Sequence, residues 1–374
     1  MRTIETEIAV VGAGPAGLSA AIRAANAGAK VLVIDENHVP GGQLFKQIHK
    51  FFGSGEHRAG IRGFRIGEEL LEKLQASGNA EVCLDSVAYG FFGNDFTLGL
   101  ARDGKTYAVK AQKYILAAGA MENCLAFPGS TLPGVMGAGA AQTMMNINRV
   151  RPGNRVLMIG SGNVGLIVSY QLMQAGADVV ELIEAAPRIT GFGVHAGKIR
   201  RAGVPVSVGT TIKRALGETE VTGAELVNVD EHFKPIPGTE RTVSCDTICL
   251  AVGLSPMTEL AWMAGCRFAY IRPFGHVPVH NEDMESTVPG VYLAGDITGS
   301  EEASTAMEEG NLAGISAAAA LGRISADEAD AAKQEIRHRL DALRSGAFGE
   351  MRMRAKKEQI SAYYTIMQEG ERKA

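Results

Sequence analysis

The chain has 374 residues, 46% of them apolar and 21% charged, with 46 glycines and a formal net charge of −4. That length suits two domains better than one core, and the interspersed charges present no basic surface to nucleic acid or to an anionic membrane. Acids at Glu5 and Glu7 stand where a secretory signal would be apolar, no window approaches ~18 uninterrupted apolar residues, and the cysteines are few and scattered. The expectation is a cytoplasmic protein with no membrane span.

In chain order, a short apolar run from Ile8 passes through Gly12-Ala13-Gly14-Pro15-Ala16-Gly17 into a helical stretch. It then turns at Ala27-Gly28-Ala29 and re-enters a strand that closes on Asp35 and Glu36. This is the βαβ unit of a dinucleotide site. Gly12 permits the tight turn off the strand, Gly14 lets a pyrophosphate approach the backbone, and Gly17 lets helix and strand pack closely. The helix N-terminus at Pro15 and Ala16 faces the phosphates. Asp35, about 18 residues beyond Gly17, stands where an acid binds ribose hydroxyls.

The same text returns from Val156, with Gly160, Gly162 and Gly165 in the glycine roles and Asn163 and Val164 opening the helix. One difference matters. The position matching Asp35 is Ile183, and the acid follows one residue later as Glu184. Strand alternation turns Glu184 away unless the strand end bends, so this ribose contact is expected to be the weaker of the two. One G-x-G-x-x-G alone is a weak signal, but two inside complete strand–turn–helix–strand units are not accidental glycine-rich caps.

Further landmarks resemble the two-dinucleotide-binding-domain flavoproteins, the group containing glutathione reductase and thioredoxin reductase. Pro40-Gly41-Gly42-Gln43-Leu44 is similar to the GGQ loop of the thioredoxin reductase branch. The stretch from Tyr114 to Ala118-Gly119 resembles the strand leaving the FAD domain, and Thr247 to Gly253 resembles the strand returning to it. Gly290 to Gly295-Asp296 is similar to the late FAD fingerprint; the resemblance implies that Asp296 hydrogen-bonds a ribitol hydroxyl and that the following helix points its N-terminus at the flavin.

The expected architecture is α/β: two Rossmann-like doubly wound domains, the second inserted in the first, plus a helical C-terminal tail. An FAD-binding domain takes residues 1–120 and 255–325, an inserted NAD(P)- or nucleotide-binding domain takes 121–254, and the tail takes 326–374. In that tail Asp327 to Leu343 reads as one helix with Ile336, Leu340 and Leu343 on a face. Met351 to Met367 reads as a second, with Met, Ile and Tyr on one side. It either caps the chain's own domains or docks a partner subunit.

The chain departs from the disulphide reductases in its cysteines. Residues 41–50 hold no C-x4-C pair, and no C-x-x-C occurs anywhere. Cys245 and Cys249 lie in an expected single strand, roughly 13 Å apart at about 3.3 Å per residue, too far for a disulphide. A second resemblance agrees with that departure. Gly160 to Asn163, Gln171 to Ala177 and Gly193 to Val204 look like the flavin subunits of multisubunit amine and imino-acid dehydrogenases. These include hydrogen cyanide synthase B, opine oxidase A, sarcosine oxidase alpha and the alpha subunit of proline dehydrogenase complexes. No cysteine follows Cys266, so an iron–sulfur centre is expected on another polypeptide.

Two weaker signals stay open. Lys46 and His49, after the GGQ loop, either touch the flavin or a substrate, or belong to a basic surface helix turn with Phe51 and Phe52 packed inward. His195 and the run Lys198 to Arg201 either meet a phosphate on the second nucleotide or form a solvated helix face. No histidine spacing suits a metal.

These signals imply an FAD-dependent oxidoreductase, the electron-transferring flavin subunit of an amine or imino-acid dehydrogenase-type complex acting on a small molecule. A partner flavoprotein, an iron–sulfur subunit or both are expected, with NAD or another adenine nucleotide at the second site. The competing readings are a self-sufficient NAD(P)H-dependent reductase with a small-protein or quinone acceptor, and a structural subunit whose FAD never turns over.

Overall fold

The apolar run at residues 8–11 forms the fully buried end of strand β1 (Arg2–Val11). The computed structural model describes residues 2–51, 53–93 and 96–372. Helix α1 (Pro15–Asn26) crosses to β2 (Val31–Ile34), and α2 (Gly63–Ala76) crosses to β3 (Ala80–Cys83), so that β1, β2 and β3 lie parallel. A meander follows: β4 (Ser86–Phe92), β5 (Thr97–Arg102) and β6 (Lys105–Leu116). The length of β6 joins the two regions. One edge runs beside β1 from Tyr107 to Leu116; the other is antiparallel to β5 at its start and parallel to a late strand at its end.

The chain then passes through β7 (Ala120–Glu122) into β8 (Val135–Gly137), α3 (Ala138–Asn146), β9 (Arg155–Ile159), α4 (Asn163–Gln174) and β10 (Asp178–Glu184). It continues through α5 (Gly193–Arg201), β11 (Val206–Val208), β12 (Thr210–Leu216), β13 (Gly223–Asn228), β14 (Arg241–Val243) and β15 (Thr247–Leu250). Among the described residues this segment builds a parallel sheet in the order β11-β10-β9-β15-β8 and an antiparallel sheet β12-β13-β14. Leu166, Leu172 and Ile199 cover one face of the parallel sheet, while Ile212 and Leu226 share a core with Leu157 and Ile183. Strands buried on both sides explain the unbroken apolar runs seen in the sequence.

The return passes β16 (Leu254–Pro256), α6 (Glu259–Met263) and the hairpin β17 (Phe268–Ile271)–β18 (Gly275–Pro278) to β19 (Val291–Leu293), the late strand beside β6. Helix α7 (Ala303–Ala320) then packs on α1. Gly310 and Gly314 face Ala16 and Ala20 so closely that a Cβ would sit 2.1 and 2.2 Å from their carbonyl oxygens. The chain divides into two compact units, Met1–Met121 with Ser255–Ala374, and Glu122–Leu254.

The tail forms α8 (Ala326–Leu343), opened by a Ser325/Glu328 capping box, and α9 (Gly346–Glu371). On α8, Ile336 and Leu340 are buried as expected and Leu343 is half-buried. The second helix begins earlier than expected. Ala355, Lys356 and Gln359 are buried, Met353, Ile360, Tyr363, Ile366 and Met367 are half-buried, and Met351 and Tyr364 are exposed. Among the described residues no helix is long and apolar enough to cross a membrane.

Candidate functional site: two glycine cradles

After β1 the backbone turns at Gly12 with φ +104°, and its N–H donates to Ile34 O at 2.8 Å. A Cβ at Gly12 would lie 2.2 Å from Ala117 O, so both the conformation and the space demand glycine. Ala13 N–H donates to Asp35 Oδ2 at 2.6 Å, and Asn37 donates through its backbone and side chain to Asp35 Oδ1, each at 2.8 Å. Asp35 is thereby held buried against the loop at the strand end, while Glu36 beside it is exposed.

The loop from Pro40 folds over this turn. Gly41 N–H donates to Ala13 O at 2.7 Å, and a Cβ on Gly42 would come within 2.9 Å of Gly14 Cα. Gly42 and the exposed Gln43 begin a short 3-10 turn that ends at Lys46. After β6, Ala117 and Ala118 lie against the Gly12 turn and lead into Gly119, and Gly295 meets the start of α1, where its Cβ would lie 2.7 Å from Ala16 Cβ. The fold thus gathers Gly12, Gly14, Pro15, Ala16, Gly17, Asp35, Gly42, Ala118, Gly119, Gly295 and Asp296 at the C-terminal ends of parallel strands. Ligands of open α/β sheets bind there.

The second cradle repeats the first bond for bond. Gly160 has φ +103°, its N–H donates to Ile183 O at 2.8 Å, and a Cβ would lie 2.2 Å from Ala251 O. Ser161 N–H donates to Glu184 Oε2, and Ala186 N–H to Glu184 Oε1, each at 2.9 Å. Glu184 therefore occupies the place of Asp35, where strand alternation alone would have turned it away. The cause is a β-bulge: β10 pairs Val179 with Val156 and Glu181 with Leu157, leaving Val180 as an extra residue that restores the register. Ser161 Oγ also donates to Glu184 at 2.6 Å, and Phe192 N–H donates to Asn163 Oδ1 at 2.9 Å. The sequence assigns no role to Ser161 or to Thr190, which contacts both Ser161 and Glu184, because hydroxyls in a glycine loop carry no spacing signal.

Both cradles fit a dinucleotide. Gly14 and Gly162 are the N-caps of α1 and α4 and supply no side-chain cap, so the first backbone N–H groups, from Ala16 on in α1 and from Asn163 on in α4, are not capped by a side chain and suit an anion. A Cβ on Gly162 would meet nothing within 4 Å, and one on Gly14 only Gly42 Cα at 4.0 Å. Neither glycine is required by the protein's own packing. A group approaching from outside is the physical reason to keep them small.

Asp296 is half-buried just past β19, and its carboxyl is pushed up to about 6, chiefly by burial, with Glu309 adding to the rise. Lys46 and His49 are half-buried. The His49 ring stacks on Phe51 at 5.9 Å, and Phe51 packs against the first core; Phe52 lies outside the described residues. The stretch beyond Lys46 is not helical, so the helix-turn reading of this segment is corrected.

On α5, His195 is buried, and burial followed by the Lys198 charge lowers its pKa. Lys198 lies 5.7 Å from the Tyr170 ring, and Arg200 and Arg201 are exposed in the last turn, where cations complement the helix dipole. All five cysteines are free, and only Cys124 is exposed. Cys245 precedes β15 and does not share its strand with Cys249, a further correction. Among the described residues no three His, Cys, Asp or Glu gather as metal ligands.

A sequence model of the pyridine nucleotide-disulphide oxidoreductases matches residues 6–310. Opine oxidase A of Rhizobium meliloti is 31% identical over 341 residues, covering 84% of this chain and 71% of that one. Hydrogen cyanide synthase subunit HcnB of Pseudomonas aeruginosa is 28% identical over 360 residues, covering 90% and 75%. Against opine oxidase A of Agrobacterium tumefaciens the chain spans 66% of the relative's length. In fold it is similar to L-proline dehydrogenase from P. horikoshii, with a TM-score of 0.69 at 22% identity, over 90% of this chain and 59% of that one.

Proposed function

Because the chain belongs to the pyridine nucleotide-disulphide oxidoreductase family, whose members bind FAD and typically NAD(P), we propose that it is an FAD-dependent electron-transferring subunit. The complex it serves would be of the amine or imino-acid dehydrogenase type. The observation that carries this reading is the state of the thiols. Burial pushes the Cys249 thiol up to about 12 and the Cys245 thiol up to about 11. Neither supplies thiolate at neutral pH, all five cysteines are free, and the chain carries neither a C-x4-C in residues 41–50 nor a C-x-x-C. Electrons leaving the flavin go to another acceptor. The opine oxidase and hydrogen cyanide synthase relatives are themselves named as subunits, which supports a partner flavoprotein or iron–sulfur protein in that place.

FAD, when bound, supplies a ring that takes up a hydride and releases electrons. The residues here hold and orient it. The α1 N-terminus and the Gly12–Gly17 turn receive the pyrophosphate, Asp35 the adenosine ribose, and Asp296 the ribityl chain. Gly42 and Gln43 cover the dinucleotide, and Lys46 and His49 are the candidates to hold a charge or a proton beside the ring. NAD or another adenine nucleotide takes the second cradle, on Gly160, Gly162, Asn163, Val164, Gly165 and Glu184.

The test is a purified chain that is yellow and releases FAD, not FMN, on denaturation. It should oxidise proline, sarcosine or an opine only when co-expressed with the proteins that co-purify with it. Amine oxidation by the isolated chain at several turnovers per second, unchanged by any partner, overturns the subunit reading. A self-sufficient NADH-dependent reductase is the second reading, and the position of Glu184 favours it. Rapid anaerobic bleaching of the flavin by NADH, without any partner, selects it.

A further inference from the structure

Helix α9 is held to the first unit by charged and polar side chains. Lys356 and Gln359 are 3% and 0% exposed, and Gln359 Nε2 donates to Pro278 O at 2.8 Å. The Lys356 ammonium lies 5.3 Å from the Phe274 ring, donates to Thr298 O at 3.0 Å and to Thr298 Oγ1, and pairs with Glu309 Oε1 at 3.0 Å. The other oxygen of Glu309 accepts from Gly295 N–H at 2.9 Å and from Thr298 Oγ1 at 3.0 Å. Arg344, on the α8–α9 connection, pairs with Glu309 and with Glu301. Two buried carboxylates thus meet two buried cations, and both cations come from the tail.

Such a set is expensive to bury and gives little net stability against an apolar replacement. Its position points to another use. Lys356 and Glu309 grip both ends of the Gly295–Thr298 turn, the segment that carries Asp296. We infer that Lys356 is a positioning residue of the flavin site, reaching in from the C-terminal helix to fix, with Glu309, the turn that presents Asp296 to the ribityl chain. This rests on the FAD reading given above. The charged groups acting on Asp296 are Glu301 and Glu309, which disfavour its ionised form, and Lys356, which favours it; the Glu301 N–H also donates to its carboxylate at 3.3 Å. Lys356 and Arg344 outweigh burial at Glu309 and hold that carboxyl well below its usual range. His280, buried beside Lys356 and Glu309, stays neutral.

The test measures FAD dissociation from the full chain across pH 5 to 8 for the wild type, Lys356→Met and the double variant Lys356→Met/Glu309→Gln. Lys356→Met should weaken FAD at least about tenfold and move the midpoint of the pH profile upward, because it leaves an uncompensated carboxylate beside Asp296. The double variant, neutral again, should regain most of the affinity and return the midpoint. A folded Lys356→Met protein with unchanged affinity and midpoint overturns the inference. If Lys356→Met does not fold, Thr298→Val removes only the hydroxyl shared by Glu309 and Lys356, and should weaken FAD severalfold; unchanged binding there overturns it equally. A wild type that binds no FAD at all sinks the cofactor reading itself, whatever Lys356 does.

Discussion

The two glycine cradles are copies that reach one geometry by different sequences. In the first, the acid follows the strand in step, and Asp35 meets Ala13 N–H at 2.6 Å. In the second, the acid comes one residue late, and the Val180 bulge absorbs the excess so that Glu184 meets Ser161 N–H at 2.9 Å. Register in a sheet is counted in ladder steps, not residues, so a one-residue mismatch between repeats is as well explained by a bulge as by a lost site. The surroundings differ too. The first cradle is overlaid by the Gly41–Gly42 turn, the second by the segment ending at Phe192, tied to Asn163 Oδ1 and, through Gly191 N–H, to Ser161 O at 2.9 Å.

The harshest test of this equivalence replaces the turning glycines. Ala at Gly12 or Gly160 must adopt φ near +104° or +103° with its Cβ 2.2 Å from a carbonyl oxygen. Each substitution should cost about 2–4 kcal/mol. Gly12→Ala should abolish FAD retention. Gly160→Ala should keep FAD and open Glu122–Leu254 to protease. Loss of FAD from both variants alike would show that the cradles do not act separately.

A milder change sharpens the comparison. Glu184→Ala should weaken NADH binding by about 10- to 100-fold, or ~1.4–2.8 kcal/mol, and should narrow the preference for NADH over NADPH that a carboxylate at the 2′ position enforces. Titration of each nucleotide against flavin fluorescence or by calorimetry reads both. Equal or tighter NADPH binding by the wild type would mean that Arg188 or Arg200 reaches the 2′-phosphate and that Glu184 does not face the ribose. Gly162→Ala, which meets no protein atom within 4 Å, should leave the melting temperature alone and lower only nucleotide affinity.

Both βαβ units and the first cradle were legible because glycine spacing and apolar runs are local and periodic. The bulge was not, since Val180 differs from its neighbours in nothing but pairing. The ionic brace under Asp296 was hidden more deeply. Its members, Glu301, Glu309, Arg344 and Lys356, are spread over two helices and two connecting segments, and Lys or Arg on a terminal helix ordinarily reads as a solvated face. One trace was visible: Glu308 and Glu309 are the two charged residues of a helix otherwise made of small and apolar residues and one asparagine, where a charge needs a buried partner.

Acidification should separate the two units with the smallest effect of the set. In the first unit His280 has its pKa lowered to about 4 by burial, then by Lys356, while Asp296 is raised to about 6. The unfolded chain protonates His280 from about pH 6.5 downward, so its contribution is lost as pH falls toward 4. Asp296 acts with the opposite sign: the folded state takes up its proton near pH 6, ahead of the unfolded state, so stability is gained as pH falls through that value. Between pH 6.5 and 5 the two oppose each other. In the second unit His195 is lowered by burial and Lys198, while the carboxyls of Glu225, Glu240 and Asp246 are lowered as well and so do not offset it. Hydrogen exchange on FAD-free protein from pH 7 to 5 should therefore show residues 122–254 losing protection with no opposing group, and the first unit losing less than His280 alone would cost it. Asp296→Asn removes the opposing group, and the first unit should then lose protection on acidification as the second does. A variant whose first unit keeps the wild-type pH response would show that Asp296 is not the group that holds the balance.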